Sequence, residues 1–242
     1  MTTLRSGALA VWTSAWLAGN CAPDDVLTAA TGSDAPHAVA GADSLLDVLA
    51  GWRRAGEPVR LVLPVPGDVR GVPNEASFRA AALDAAEAVV GAGLALVPEV
   101  VDRHPSSAPT SVTWRAFAVP PTPVDHLDPA EAQSELAAAI RDAASALTAA
   151  AVGGAEAGIA EALHDARHAG ERLHLPPGHP PRAVALLAQA HRMRAVLDLT
   201  ARDPVGGAVD RFGMSARDAA LRPLATATRR ALLAGYNAQS RP

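Results

Sequence analysis

Hydrophobic residues near the start of the chain recur at a helical spacing. Ala8, Val11, Trp12, Ala15 and Trp16 stand at i, i+3, i+4, i+7 and i+8, the stripe of an amphipathic helix. Pro23, with Asp24 and Asp25 beside it, opens a short second helix to about Ala30, because proline suits the first turn and carboxylates suit its dipole. His37 to Ala40 reads as a short strand, and Asp43 caps a helix carrying Leu45, Leu46, Val48 and Leu49 to near Gly56.

The clearest strand is Val59 to Val65, VRLVLPV. Its near-continuous apolar run is the pattern of a strand covered on both faces. A Gly/Pro-rich loop from Pro66 follows, and Asn74 is placed as the N-cap of a helix running to about Val90. Leu94 to Val97, extending to Val101, is a further strand. Ser111 to Val119 alternates Val112, Trp114, Ala116 and Ala118 on one face, as an exposed antiparallel strand does.

After Pro120, Pro121 and Pro123 the periodicity is helical. Asp128-Pro129-Ala130-Glu131 is a strong helix start, followed by an inward stripe of Leu136, Ile140, Ala143, Ala144, Leu147 and Ala151. Gly153-Gly154 breaks that helix, and a second runs to about Ala169. Pro181 opens a long one to about Ala201, Ser215 with Asp218 caps a short one, and Pro223 starts or kinks the last. The expected fold class is therefore an α/β (or α+β) N-terminal region with a small mixed sheet of three to four strands, followed by an all-helical C-terminal region, predominantly helical overall. The boundary is placed at residues 1–124 and 125–242, two regions able to pack as one unit.

Composition changes how much each residue can say. The chain has 57 alanines and 21 arginines but no lysine, a bias expected of a G+C-rich genome of the actinobacterial kind, so alanine positions carry little chemical information. Aromatic residues are 3% of 242, and the core must be built from many contacts between small aliphatic side chains, each burying modest area.

Charge is unevenly spread. Residues 1–170 hold 10 Arg against 20 acids, whereas residues 171–242 hold 11 Arg against 5. Without lysine and with few rings to stack on bases, nucleic acid is not the expected partner of the basic segment. Attraction between the two halves, within one chain or across a homodimer, is the simpler reading.

The single cysteine, Cys21, excludes an internal disulfide. Arg5 and the apolar run from Gly7 to Gly19 resemble a signal peptide, and Ala18-Gly19-Asn20-Cys21 approaches a lipoprotein processing site. Asn20 stands where a small residue is required, however, and one positive charge precedes the run, so the expectation is a structural first helix in a cytoplasmic protein. No run approaches the ~18 apolar residues of a membrane span.

Two places offer candidate chemistry. Asp68, Arg70 and Asn74 lie on the loop leaving a strand and entering a helix N-terminus, where free N–H groups attract a small anion. Gly67-x-x-x-Gly71 lacks the Lys and Ser/Thr of a phosphate loop, so no nucleotide and no cofactor is called for. His164 and His168 stand at i and i+4 with Glu161 beside them, a spacing that can present two imidazoles to a divalent metal, although their helical projection faces them away from the inward stripe. His104 and His126 flank the last strand. The Arg217, Arg222, Arg229 and Arg230 set reads as a solvated or interface-facing surface.

No catalytic motif is recognised, so whether the chain is an enzyme stays open. The favoured reading is a non-enzymatic interaction or scaffold protein forming a homodimer. The alternative is a small-molecule or anion-binding protein, or an enzyme, using loop 66–74.

Overall fold

The computed structural model describes residues 4–101, 109–123, 125, 127–149, 173–202 and 211–238. Seven helices and five strands lie among them: α1 (Arg5–Leu17), α2 (Pro23–Thr31), β1 (Ala38–Ala40), α3 (Leu45–Ala55), β2 (Arg60–Val62), α4 (Ala76–Ala85), β3 (Ala88–Val90), β4 (Leu94–Val101), β5 (Ser111–Ala118), α5 (Pro129–Ala149), α6 (Pro181–Arg202) and α7 (Arg211–Tyr236). The chain divides into two compact units. One holds residues up to His126 together with His174–Pro180; the other holds Leu127–Leu173 and Pro181–Ala238.

The expected fold class is corrected. The sheet has five strands, in the order β1-β5-β4-β3-β2, with α1 and α2 before the first strand and α3 and α4 interspersed among them. Nor is the chain after the proline cluster all helix, because His174 to Pro180 is non-helical and belongs to the first unit.

The missed strand is β3. An alanine-rich stretch predicts one helix to Val90, but Ala86 takes the left-handed conformation (φ 57) and ends α4. The β-branched Val89 and Val90 then pair with β2 on one side and β4 on the other. Strand β2 is also shorter than the apolar run implied, and it is antiparallel to β3. The parallel pair is β1 with β5, in register Ala38↔Thr113 to Ala40↔Arg115. The longest ladder joins β4 to β5, from Leu94↔Ala118 to Val101↔Ser111.

Alternation along the strands gives the sheet two buried faces. Val62, Ala88, Val90, Ala95 and Val97 pack with Phe78 and Ala82 of α4. Leu61, Val89 and Leu96, all fully buried, point away from α4. Helix α1 packs against β2, β3 and β4. It is buried on most sides, Ser6 and Thr13 included, so its apolar run marks a central helix rather than the one-faced stripe expected from sequence. Its N-terminus has no local cap; the Glu87 carboxylate, buried 81 residues away, accepts the Ser6 N–H at 2.8 Å. Trp52 of α3 lies against Gly91, where an added Cβ would come within 2.3 Å of Nε1, so only glycine leaves room for the indole.

In the second unit α5, α6 and α7 pack against one another. Asp128 caps α5 by accepting the Ala130 and Glu131 N–H groups at 2.7 and 3.1 Å. The contact is built from small and aliphatic residues: Leu136 on α5, Leu186, Leu187 and Ala190 on α6, and Ala231 on α7, all fully buried. An added Cβ at Gly235 would lie 2.5 Å from Leu187 Cγ, so α6 and α7 approach at a glycine. Of the stripe expected on α5, Leu136 and Ala143 are buried while Ala144 is exposed. The separate short helix expected at Ser215 is instead part of α7, which continues through Pro223. One lost donor is outweighed by the buried Leu224, Ala227 and Ala231 beyond it. The break at Gly153-Gly154 lies outside the described residues.

Candidate functional site

The loop from β2 to α4 closes on itself. Val65 and Asp68 exchange backbone hydrogen bonds at 2.9 and 3.1 Å around Gly67, whose φ of 87 suits glycine. The Arg70 guanidinium donates from Nε and Nη2 to the two oxygens of Asp68 at 2.9 and 2.7 Å, a bidentate fork between neighbours. The Arg70 side chain is 55% exposed, so water screens the pair.

Asn74, the third residue of the expected anion site, accepts from Arg79 Nη1 at 2.8 Å. The N-cap of α4 is Glu75, whose carboxylate accepts the Ser77 and Phe78 N–H groups at 3.1 and 2.6 Å and the Ser77 hydroxyl at 2.7 Å. The Phe78 N–H, followed by the Ser77 donors, holds this carboxyl below its ordinary range. The positive end of α4 thus already carries a carboxylate of the chain itself.

Sequence reasoning missed Arg60, at the start of β2. It pairs with Val90 in the ladder and so stands on the α4 side of the sheet. Its Nη2 donates to the carbonyls of Gly71 and Thr122 at 3.3 and 3.5 Å, drawing together the loop before α4 and the segment after β5. Among the described residues its buried Nε has no partner, and burial lowers the guanidinium's proton affinity. An arginine at a strand start gives no sequence signal, because only tertiary structure brings the two loops over it.

A second polar group lies where α1, the α2–β1 loop and β5 meet. Arg5 donates from Nε and Nη2 to Asp34 at 2.6 and 3.1 Å. His37 Nε2 lies 3.4 Å from Asp34 Oδ2, and Trp114 Nε1 donates to His37 Nδ1 at 3.2 Å. Because the indole can only donate, Nδ1 must accept and the ring proton sits on Nε2, toward Asp34. Burial acts to raise the Asp34 carboxyl, but Arg5 and then His37 outweigh it and hold it below the usual range. Burial lowers His37 more than Asp34 raises it. Both imidazole nitrogens are therefore engaged, and the side chain is 1% exposed.

The candidate metal residues Glu161, His164 and His168 lie outside the described residues, as do His104 and His126. Among the described residues no group of three His, Cys, Asp or Glu side chains is placed to hold a metal ion. His191 is buried between α6 and α7, its Nε2 2.8 Å from Tyr236 Oη and the rings edge to face at 80°. Burial, with Arg194 adding to it, lowers its pKa to about 4. Of the C-terminal arginines, Arg230 forks onto Glu135 at 2.8 and 3.3 Å, Arg217 donates to the Thr200 carbonyl at 3.2 Å, and Arg222 is exposed. Burial first, then Asp25, raises the Cys21 thiol. Among the described residues no helix is long and apolar enough to cross a membrane.

Comparison with known proteins finds two matches that together follow nearly the whole chain. Residues 6–127 match the N-terminal domain of Rv1486c-like protein, and residues 130–233 match its C-terminal domain. Similar proteins include "Uncharacterized protein Rv1486c" of Mycobacterium tuberculosis, strain H37Rv, 33% identical with 96% of each chain covered. "Uncharacterized protein ML1804" of Mycobacterium leprae is 30% identical, again with 96% of each covered. "Uncharacterized protein MAV321" of Mycobacterium avium is 30% identical over 91% of this chain and 86% of its own. No solved structure matches.

Proposed function

The chain belongs to the Rv1486c-like family, and from that premise we propose that it is a non-enzymatic interaction protein of the cytoplasm that assembles as a homodimer. One observation carries the reading. The candidate-loop residues Asp68, Arg70 and Asn74, and the two buried histidines His37 and His191 that the structure brings out, have partners within their own unit. Asp68 is forked by Arg70, Asn74 takes Arg79, and His191 is buried against Tyr236. His37 spends one nitrogen on Trp114 and the other on Asp34. A general acid or base needs a lone pair or proton within reach of a substrate, and His37, 1% exposed with both ring nitrogens engaged, offers neither.

The unequal charge of residues 1–170 and 171–242 supports self-association, since two copies can set the acidic segment of one against the basic segment of the other. Such a contact weakens as salt rises. Sedimentation velocity on the full chain at about 0.05 and 0.5 M salt tests it. A dimer that loosens at the higher salt supports the proposal; a monomer at both salts and at every concentration overturns it.

A further inference from the structure

Arg60 differs from several other arginines of this chain in having neither an anionic nor an aromatic partner among the described residues while its Nε is buried. Arg5 forks onto Asp34 and Arg230 onto Glu135. Arg53 lies over the Trp16 ring at 4.7 Å and Arg115 over Phe117 at 5.2 Å. Arg60 has no ring and, among the described residues, no carboxylate within 4.0 Å. It is half-buried, and its contacts are two long hydrogen bonds from Nη2 to the Gly71 and Thr122 carbonyls.

We infer that Arg60 is the anchor of a small-oxyanion site between the loop before α4 and the segment after β5. A guanidinium has five N–H donors and a full charge. The two carbonyls take the Nη2 hydrogens and fix the plane of the group, but they bring no negative charge. Among the described residues, Nε is buried with no partner and the Nη1 hydrogens have no acceptor. A cation half-removed from water without a counter-ion is a standing electrostatic cost. A carboxylate or phosphate oxygen bound at Nη1 relieves it with a charge-assisted hydrogen bond that the protein lacks.

The surroundings are apolar and strengthen the field of the guanidinium. Val72 and Val119, in the two segments whose carbonyls accept from Arg60, are buried in the apolar cluster beneath α4, so the dielectric around the guanidinium is lowered. Asp125 lies against Gly71, where an added Cβ would be 3.5 Å from its own Cβ, yet its carboxylate does not reach Arg60. The site differs from the one sequence suggested. Arg70 is neutralised by Asp68 and the N-terminus of α4 by Glu75, so both anion donors expected from sequence are already used.

The test is a titration of the full chain with inorganic phosphate, and separately with acetate, followed by thermal unfolding against sodium chloride of equal ionic strength. A ligand that binds only the folded state raises Tm saturably, by about 2–4 °C well above its Kd. Arg60→Gln is expected to lose at least about tenfold in affinity, the size of one charged hydrogen bond. Arg70→Gln keeps the response. A rise with phosphate alone assigns a phosphate ligand, and an equal rise with acetate assigns a carboxylate. No rise beyond that of chloride, or a rise unchanged in Arg60→Gln, overturns the inference. Should Arg60→Gln not fold, the side-chain 15N–1H resonances of Arg60 in the unaltered protein decide: they shift on adding phosphate if the site exists and stay fixed if it does not.

Discussion

Trp12 gives its indole N–H to the carbonyl of His174, 162 residues further along the chain, at 3.1 Å, while the two rings lie 4.8 Å apart. The contact ties the His174–Pro180 segment to the first helix. Gly178 passes over the Asn20 side chain, and His179 is buried at 7% exposure. The N-terminal unit is therefore made of two pieces of sequence, although the N-terminal domain match ends at residue 127.

Trp12→Phe keeps the ring and removes the donor. It is expected to cost about 1 kcal/mol, the net value of one hydrogen bond, whereas Trp12→Ala should cost about 3–5 kcal/mol by opening a cavity. Urea unfolding of the full chain measures both. A chain cut after residue 127 lacks the segment and should unfold at lower urea than the N-terminal transition of the full chain. Equal midpoints would mean the segment contributes nothing.

Asp34 holds Arg5 on one side and His37 on the other, with side chains about a tenth exposed or less. Asp34→Asn removes the carboxylate charge that Arg5 forks onto and should destabilise by about 3 kcal/mol or more, as removing one partner of a buried pair does. Replacing both, Arg5→Met with Asp34→Leu, should recover part of that loss. A double variant as unstable as the sum of the singles would show that the two do not act as a pair.

Stability should fall on the acid side, and His191 sets part of the window. Its pKa drops from 6.5 to about 4 on folding. The unfolded chain therefore binds this proton between pH 6.5 and 4 while the folded chain does not, so ΔG of unfolding rises with pH across that interval. The contribution is complete above 6.5, is lost progressively as pH falls toward 4, and amounts to no more than about 3 kcal/mol. Asp34 and Glu75, both held below the ordinary carboxyl range, add losses of the same sign at lower pH. Urea midpoints from pH 4 to 7.5 for the wild type and His191→Gln measure it; the variant should have the flatter slope between 4 and 6.5, and parallel curves would contradict the assignment.

Much of the fold was legible because periodicity and capping act locally. Pro129 and Pro181 begin α5 and α6 where proline at a first helical position requires, and β4 and β5 follow their apolar patterns. What failed depended on distant partners. The turn at Ala86 that frees β3 leaves no residue signature, since alanine rarely takes a positive φ. The cap of α1 comes from Glu87, which no rule for neighbouring residues can find.

The candidate loop shows the same division. Asp68 and Arg70 stand two residues apart, close enough that pairing was already a plain option in the sequence. Arg60, by contrast, becomes distinctive only through what tertiary structure does not bring to it. Ser44 rather than Asp43 caps α3, and Glu75 rather than Asn74 caps α4, single-residue shifts typical of caps with several polar residues in a row.

The central claim, that this chain works as a pair of identical subunits rather than as an enzyme, is met most directly by native mass spectrometry of tag-free protein purified without chelator. The account predicts a species at twice the 24.7 kDa chain mass that persists on dilution in low salt. A species at the single-chain mass at every concentration, with or without a bound small molecule or metal, would contradict it.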